Sequence, residues 1–276
     1  TKDFRKALEA MDGMLFPDHP YGTQTVLGTQ EHLKNPSITN IKNYQKTYYV
    51  PNNMAICLSG DFDPDEMIAV IEKYFSQMEP NKDLPEITLT TSSKIESPVE
   101  KNVYGLDAEN VMIGWKYPGA KSEDALVADV AASVLYNGSA GLIDLNINQQ
   151  QKVLGAYGMS YGRPDAGEFI LMGNPKQGQT LEEVRDILLA EVAKLRNGEF
   201  DETVLSGTIN NMKKELMRSL EDNGSRADMF VQSFINGTDW ADDVKSIERM
   251  QEVTKEDIMN WAGRYLGENN YAIVYK

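Results

Sequence analysis

One cysteine, two histidines and no long apolar run exclude several kinds of chemistry at the outset. Cys57 alone cannot close an intramolecular disulfide, and it cannot build a cysteine-rich zinc site. Its place in Met54-Ala55-Ile56-Cys57-Leu58 points to a buried structural thiol. The sequence lacks the run of about 18 apolar residues that a membrane-spanning helix requires. Cations are also scarce, 27 Lys and Arg against 42 Asp and Glu, for a net charge of −15. That balance opposes binding to a nucleic-acid backbone or an anionic membrane, both of which need clustered basic residues. It reads as a solvated acidic surface, with a peptide or basic partner left open. The opening Thr1-Lys2-Asp3-Phe4 shows no signal peptide and reads as a mature or excised chain. Its compartment stays open, with the cell envelope and secretion among the choices.

What is present is a globular composition, 41% hydrophobic and spread along 276 residues, enough for one large domain or two modest ones. Phe4, Leu8, Met11 and Leu15 recur at helical spacing. Pro17, Pro20 and Gly22 then forbid a continued helix. Ser37 or Thr39 caps a helix through about Tyr48, Pro51-Asn52-Asn53 turns, and Met54 to Leu58 reads as a short buried strand. Asp63-Pro64 starts the next helix, with Glu66 at its third position. Residues 79–100, rich in proline and hydroxyl side chains, read as a linker. Beyond it come a strand from Val111, a helix over 122–136 and a turn at 138–141 leading into a further helix to about Gln151. Strands near 155–162 and 167–173 surround Gly162-Arg163-Pro164-Asp165. Helices capped by Thr180, Asp201 and Thr254 follow, and a strand ends the chain at Tyr275. Strands and helices fall in blocks, which selects the α+β class.

The end of the chain repeats its beginning. Ile41 to Leu58 superimposes on Ile258 to Tyr275 without a gap, at an offset of 258 − 41 = 217, and 7 of the 18 positions are identical. The caps Ser37 and Thr254 fall in the same register. Two homologous α+β units follow from this. Residues 1–80 are the end of a first unit, 81–100 the linker and 101–276 a complete second unit. The offset places about a hundred residues of the first unit upstream of Thr1, so that unit is expected to be truncated.

His19-Pro20-Tyr21-Gly22, Leu27-Gly28-Thr29, Tyr48-Tyr49-Val50-Pro51-Asn52-Asn53 and Gly60-Asp61-Phe62-Asp63-Pro64 stand in an order and spacing that resemble the insulinase/pitrilysin zinc metallopeptidases. Lys73-Tyr74-Phe75 fits the end of the same block. The resemblance covers most of the chain, begins just after that family's metal-binding region, and implies two homologous units with mostly antiparallel sheets covered by helices. It implies a parent enzyme that holds zinc by an inverted His-x-x-Glu-His motif and a distant Glu, leaving one position for water. None of those residues is in this sequence. His19 and His32 lack the helical spacing to share a metal and read as surface or loop-packing side chains. No catalytic residue and no metal ligand is therefore expected here; both belong upstream of Thr1. In the second unit the counterpart of the metal helix puts Asp129, Ala132 and Ser133 at the His, Glu and His positions, a set that cannot bind zinc.

The family's inactive half also presents an Arg and a Tyr, seven apart, to substrate, and the lack of that Arg here favours the zinc-bearing half as the source. Tyr157 matches the Tyr, but Gln150 stands where the Arg belongs. Arg163 is a second candidate for peptide contact, weighed against an exposed turn arginine. The resemblance thus implies a fragment of a zinc-dependent metalloendopeptidase that forms chamber wall and holds peptide by strand addition, inactive alone. Its partners would be a peptide or protein substrate and the other half or a partner subunit. The alternatives are part of a non-catalytic scaffold subunit of the same fold, and an unrelated α+β binding domain.

Overall fold

The computed structural model describes residues 3–86, 89 and 93–276. Five helices come first: α1 (Asp3–Leu15), α2 (Pro20–Thr23), α3 (Gln30–Lys34), α4 (Ile38–Tyr48) and α5 (Pro64–Phe75). Then follow β1 (Val99–Asn102), β2 (Val111–Pro118), α6 (Asp124–Leu135), a π-helical turn at Asp144–Asn148, β3 (Gly155–Gly162) and β4 (Ala166–Asn174). The chain continues through α7 (Leu181–Asn197), α8 (Glu202–Ser219), α9 (Asn223–Asn236), α10 (Trp240–Val244), α11 (Ser246–Glu252) and α12 (Lys255–Tyr265), and ends on β5 (Ala272–Tyr275).

The five strands form one sheet in the order β1-β5-β2-β4-β3, antiparallel except for the β1–β5 pair. Alternation along the strands sorts the core into two faces. Ile113, Trp115, Phe169, Leu171 and Ile273 face α6, α7 and α12. Met112, Ile170, Met172, Ala272 and Val274 face α1. Because both faces are covered, β4 reads as a nearly unbroken buried run rather than an alternating one.

The apolar stripe of α1 is set by Ala7, Ala10, Met11 and Leu15, whereas Phe4 is exposed. The helix crosses β2 at Gly114, where a Cβ atom would lie 2.5 Å from Met11 Sδ. At its other end the Asp3 carboxylate accepts hydrogen bonds from the backbone N–H groups of Leu106 (2.6 Å) and Asp107 (2.8 Å). Those bonds, the Asp107 bond foremost, hold Asp3 well below the usual carboxylate range. So α1 precedes the linker in sequence but packs on the sheet built by residues 99–276.

The repeat is visible as geometry. Helices α4 and α12 have identical lengths at the 217 offset. The Ser37 hydroxyl accepts from Asn40 N–H, as the Thr254 hydroxyl accepts from Asp257 N–H. Asn53 Nδ2 donates to the Tyr48 carbonyl at 2.9 Å, and Asn270 Nδ2 donates to the Tyr265 carbonyl at 3.0 Å. What differs is burial. Ile258 and Trp261 are fully buried, while their counterparts Ile41 and Tyr44 are 57% and 60% exposed.

The expectation of a buried strand over Met54 to Leu58 is corrected in the same way. The segment pairs with no strand among the described residues, its Met54, Ile56 and Leu58 are exposed, and Cys57 is half-buried. Its counterpart β5 is buried because β1 and β2 flank it; nothing in the described chain does that for residues 54–58. The helix expected after the 138–141 turn is the short π-helical turn at Asp144–Asn148, and β1 takes up the end of the linker.

Candidate functional site

Strand β3 pairs with β4 along one edge, and no strand covers its other edge among the described residues. One end of that free edge is closed by a side chain. Asn148 Nδ2 donates to the Ala156 carbonyl at 2.8 Å, and Asn148 Oδ1 accepts from the Ala156 N–H at 2.9 Å. This is the two-bond exchange that a neighbouring strand residue would make. Since Ala156 turns its peptide groups outward, alternation turns those of Gly158 and Ser160 outward too. The edge therefore offers donors and acceptors to an extended chain beyond Asn148.

Tyr157 and Arg163 have the same parity on this strand and the turn that follows. At about 3.4 Å per residue they stand about 20 Å apart, so the fold does not bring them together. Tyr157 is half-buried against the α1 face, with its ring 6.3 Å from that of Tyr136, and burial raises its phenol above the ordinary value. Gln150 lies in the exposed turn before the strand.

Arg163 is not the exposed turn arginine considered from sequence. Its Nη2 lies 2.9 Å from Asp12 Oδ1 and 3.3 Å from Glu168 Oε2. Its guanidinium stacks over the Tyr21 ring at 4.1 Å and the Phe16 ring at 4.9 Å. The physical reason is the docking of α1 and α2 over this turn. Glu168 is buried, and desolvation together with the Asp12 carboxylate pushes its carboxyl up to about 8, against the pull of Arg163. A cleft of about 890 Å³ opens beside this corner, between Phe4, Leu8, Tyr21, Leu27 and Tyr161.

The positions that match the metal helix lie on α6. Asp129 is exposed, Ala132 is buried and Ser133 is half-buried. Although the residue as a whole is exposed, its carboxyl turns toward Ser160 and is desolvated there, which raises it to about 6, and the hydrogen bond with Ser160 opposes that rise. Ser160 Oγ also lies 2.7 Å from the Tyr117 hydroxyl. A carboxylate, two serine hydroxyls and a phenol supply no imidazole and no second carboxylate, so this set does not fit zinc. No group of three His, Cys, Asp or Glu side chains converges among the described residues.

The histidines are equally unsuited. His19 is buried as the cap of α2; its Nδ1 accepts from Tyr21 N–H at 3.1 Å and its Nε2 faces Asp165 Oδ2 at 3.6 Å. His32 is exposed and shares a capping box with Thr29.

Asn148, Asp12 and Glu168 escaped the sequence reading. Glu168 did leave a signal, as the one charged residue inside Ala166-Gly167-Glu168-Phe169-Ile170-Leu171. Asp12 left another, since it shares the helical face of Leu8 and Leu15.

The family described as the peptidase M16 inactive domain matches residues 37–212. Among curated proteins, the zinc protease PqqE of Helicobacter pylori is 22% identical over 271 residues, covering 93% of this chain and 58% of that protein. An uncharacterized zinc protease of Mycobacterium leprae is 23% identical over 271 residues, covering 94% and 59%. The chain thus spans less than two thirds of the length of these relatives. Among solved structures, a protease from Helicobacter pylori superimposes with a TM-score of 0.90 at 18% identity, over 99% of this chain and 66% of that one. A peptidase M16 inactive domain from Pseudomonas fluorescens does so with a TM-score of 0.83 at 13% identity, over 98% and 65%. At such identities the superpositions speak for the fold alone. The family match covers more than half of the sequence, and the chain belongs to the peptidase M16 inactive-domain family, of the insulinase/pitrilysin type that its motifs resemble.

Proposed function

We propose that this chain is the non-catalytic portion of a zinc-dependent metalloendopeptidase, in which it walls the reaction chamber and holds peptide in an extended form. The observation that carries this reading is the free edge of β3, with outward peptide groups at Gly158 and Ser160 and Tyr157 beside them. A peptide added there gains backbone hydrogen bonds that do not depend on its sequence. The curated relatives are named zinc proteases, which supports a hydrolytic parent. The metal would be held by residues of the parent outside this chain, since the set on α6 does not fit it.

In the same reading, residues 1–80 are the end of a first unit whose remaining strands pair with residues 54–58 and cover α4 and α5. The bare apolar faces of Ile41, Tyr44, Ile68 and Phe75 support that placement. Hydrogen exchange with a non-cleavable extended peptide tests the holding role. Slowed exchange at Gly158 and Ser160, with β2 and β5 unchanged, is the expected result. Unchanged exchange along 155–162 at saturating peptide rejects it. A scaffold subunit of the same fold is the second reading, and metal content of the parent separates the two.

A further inference from the structure

Three unpaired buried polar atoms gather where α1 and α2 meet the β3–β4 turn: His19 Nε2, Arg163 Nε and Glu168 Oε2. The corner is an interlock. Asp12 comes from the last turn of α1, Arg163 from the turn and Glu168 from the start of β4. One guanidinium sits between two carboxyl groups, at 2.9 Å and 3.3 Å. Glu168 Oε2 accepts no hydrogen bond from it, although it lies within ion-pair distance. The second row of contacts runs beside the first. Tyr21 of α2 donates its hydroxyl to Asp165 Oδ2 at 3.0 Å, and its ring lies under Arg163.

Other charges do not relieve Glu168. Lys116 is its partner across the sheet, but the Lys116 ammonium donates to Ser93, with Asp18 nearby. Tyr117 approaches from the opposite face, and its phenol is kept neutral by burial. His19 and Asp165 face the turn at 3.6 Å from one another. With both carboxyls ionised, one arginine must serve two anions, Glu168 buried and Asp12 half-buried. With Glu168 protonated, the corner is neutral and the Glu168 carboxyl donates a hydrogen bond to the Asp12 carboxylate.

We propose that Asp12, Arg163 and Glu168 form a proton-controlled clasp that keeps α1 and α2 docked on the sheet while Glu168 is neutral and releases them when its proton leaves to solvent. The consequence follows from chain order. Helix α1 lies on the sheet of residues 99–276, yet it belongs to the segment that leads into α4 and α5. Opening the clasp loosens the tie between the two parts of the chain and leaves the sheet itself in place.

The sign of the effect is fixed by linkage. Glu168 binds its proton more tightly in the folded chain than in the unfolded one, where the ordinary value is 4.5. Its contribution is therefore complete below about 4.5 and is lost as pH climbs through about 8.

Hydrogen exchange of the whole chain, normalised to the intrinsic rate at each pH, tests the clasp. Opening of the α1 amides is expected to increase about tenfold or more between pH 6 and pH 9, while β2 and β4 stay protected. Glu168→Gln keeps the hydrogen bond to Asp12 and removes the titration, so its α1 opening is expected to be flat over the same range. An α1 opening that ignores pH in the wild-type chain overturns the proposal. So does the same pH course in Glu168→Gln, or opening of α1 only together with β4. Should the variant fail to fold, the wild-type pH course decides by itself.

Discussion

Trp261→Ala is expected to cost about 4 kcal/mol of folding stability, and Tyr44→Ala, at the same place in the repeat, about 0.5 kcal/mol. The two side chains occupy matching positions of α12 and α4, so helix propensity and local geometry are nearly the same for both. Trp261 is fully buried, with ring centroids 5.5 Å from Phe169, 5.7 Å from Tyr117 and 5.6 Å from Tyr265. Its removal leaves a cavity between α12 and the sheet, and the neighbouring strands cannot collapse into it. Tyr44 touches only Tyr48 and Tyr49 among the aromatic rings and is 60% exposed. Urea denaturation measures both, read as a shift in midpoint at constant slope. In a longer version that completes the first unit, the Tyr44→Ala cost is expected to rise to several kcal/mol. A cost that stays near 0.5 kcal/mol there contradicts the placement of upstream strands on α4.

Arg163→Leu is expected to destabilise the chain by about 3 kcal/mol at pH 8, because it strands the Asp12 and Glu168 carboxyls without their shared cation. The guanidinium also contributes its stacking on Tyr21 and Phe16, which leucine replaces only in part. At pH 5 the cost is expected to be smaller, since Glu168 then carries its proton in either chain. This separates two roles for Arg163. A residue that chiefly contacts peptide would alter peptide binding and leave stability near the wild-type value. Tyr157→Phe supplies the comparison, as it removes one hydroxyl at the β3 edge and disturbs no ion pair. Thermal and urea unfolding at the two pH values, with peptide affinity measured alongside, distinguish the cases.

Much of the fold is legible in the residues themselves. The caps Ser37, Asp63, Thr180, Asp201 and Thr254 mark helix starts because a side-chain oxygen must satisfy the first free N–H groups. The strands around Gly162-Arg163-Pro164-Asp165 are legible because turn residues separate two β-rich runs. The repeat is legible because the same helix cap and the same Asn-to-carbonyl bond after the helix recur. What sequence periodicity cannot give is the partner of an apolar face. Met54 to Leu58 has the pattern of a buried strand and lies exposed, since burial of a strand depends on its neighbours. Helix α1 precedes the expected linker yet packs on the sheet of residues 99–276, a tertiary choice that no local signal encodes. Of the candidate site, Tyr157 and Arg163 were legible as members of the β3 strand and its turn, whereas their burial and partners were not. The Asp12–Arg163–Glu168 corner joins residues more than 150 positions apart, and only the packed structure brings them into contact.

The most direct test is zinc content and peptidase activity, measured side by side on this chain and on a version extended upstream through a complete first unit. The expected result is about one zinc per molecule and peptide cleavage in the extended protein, and neither in this chain. Stoichiometric zinc with cleavage by this chain alone would contradict the assignment of its histidines and of α6. Neither property in the extended protein would contradict the peptidase reading and leave a scaffold of the same fold.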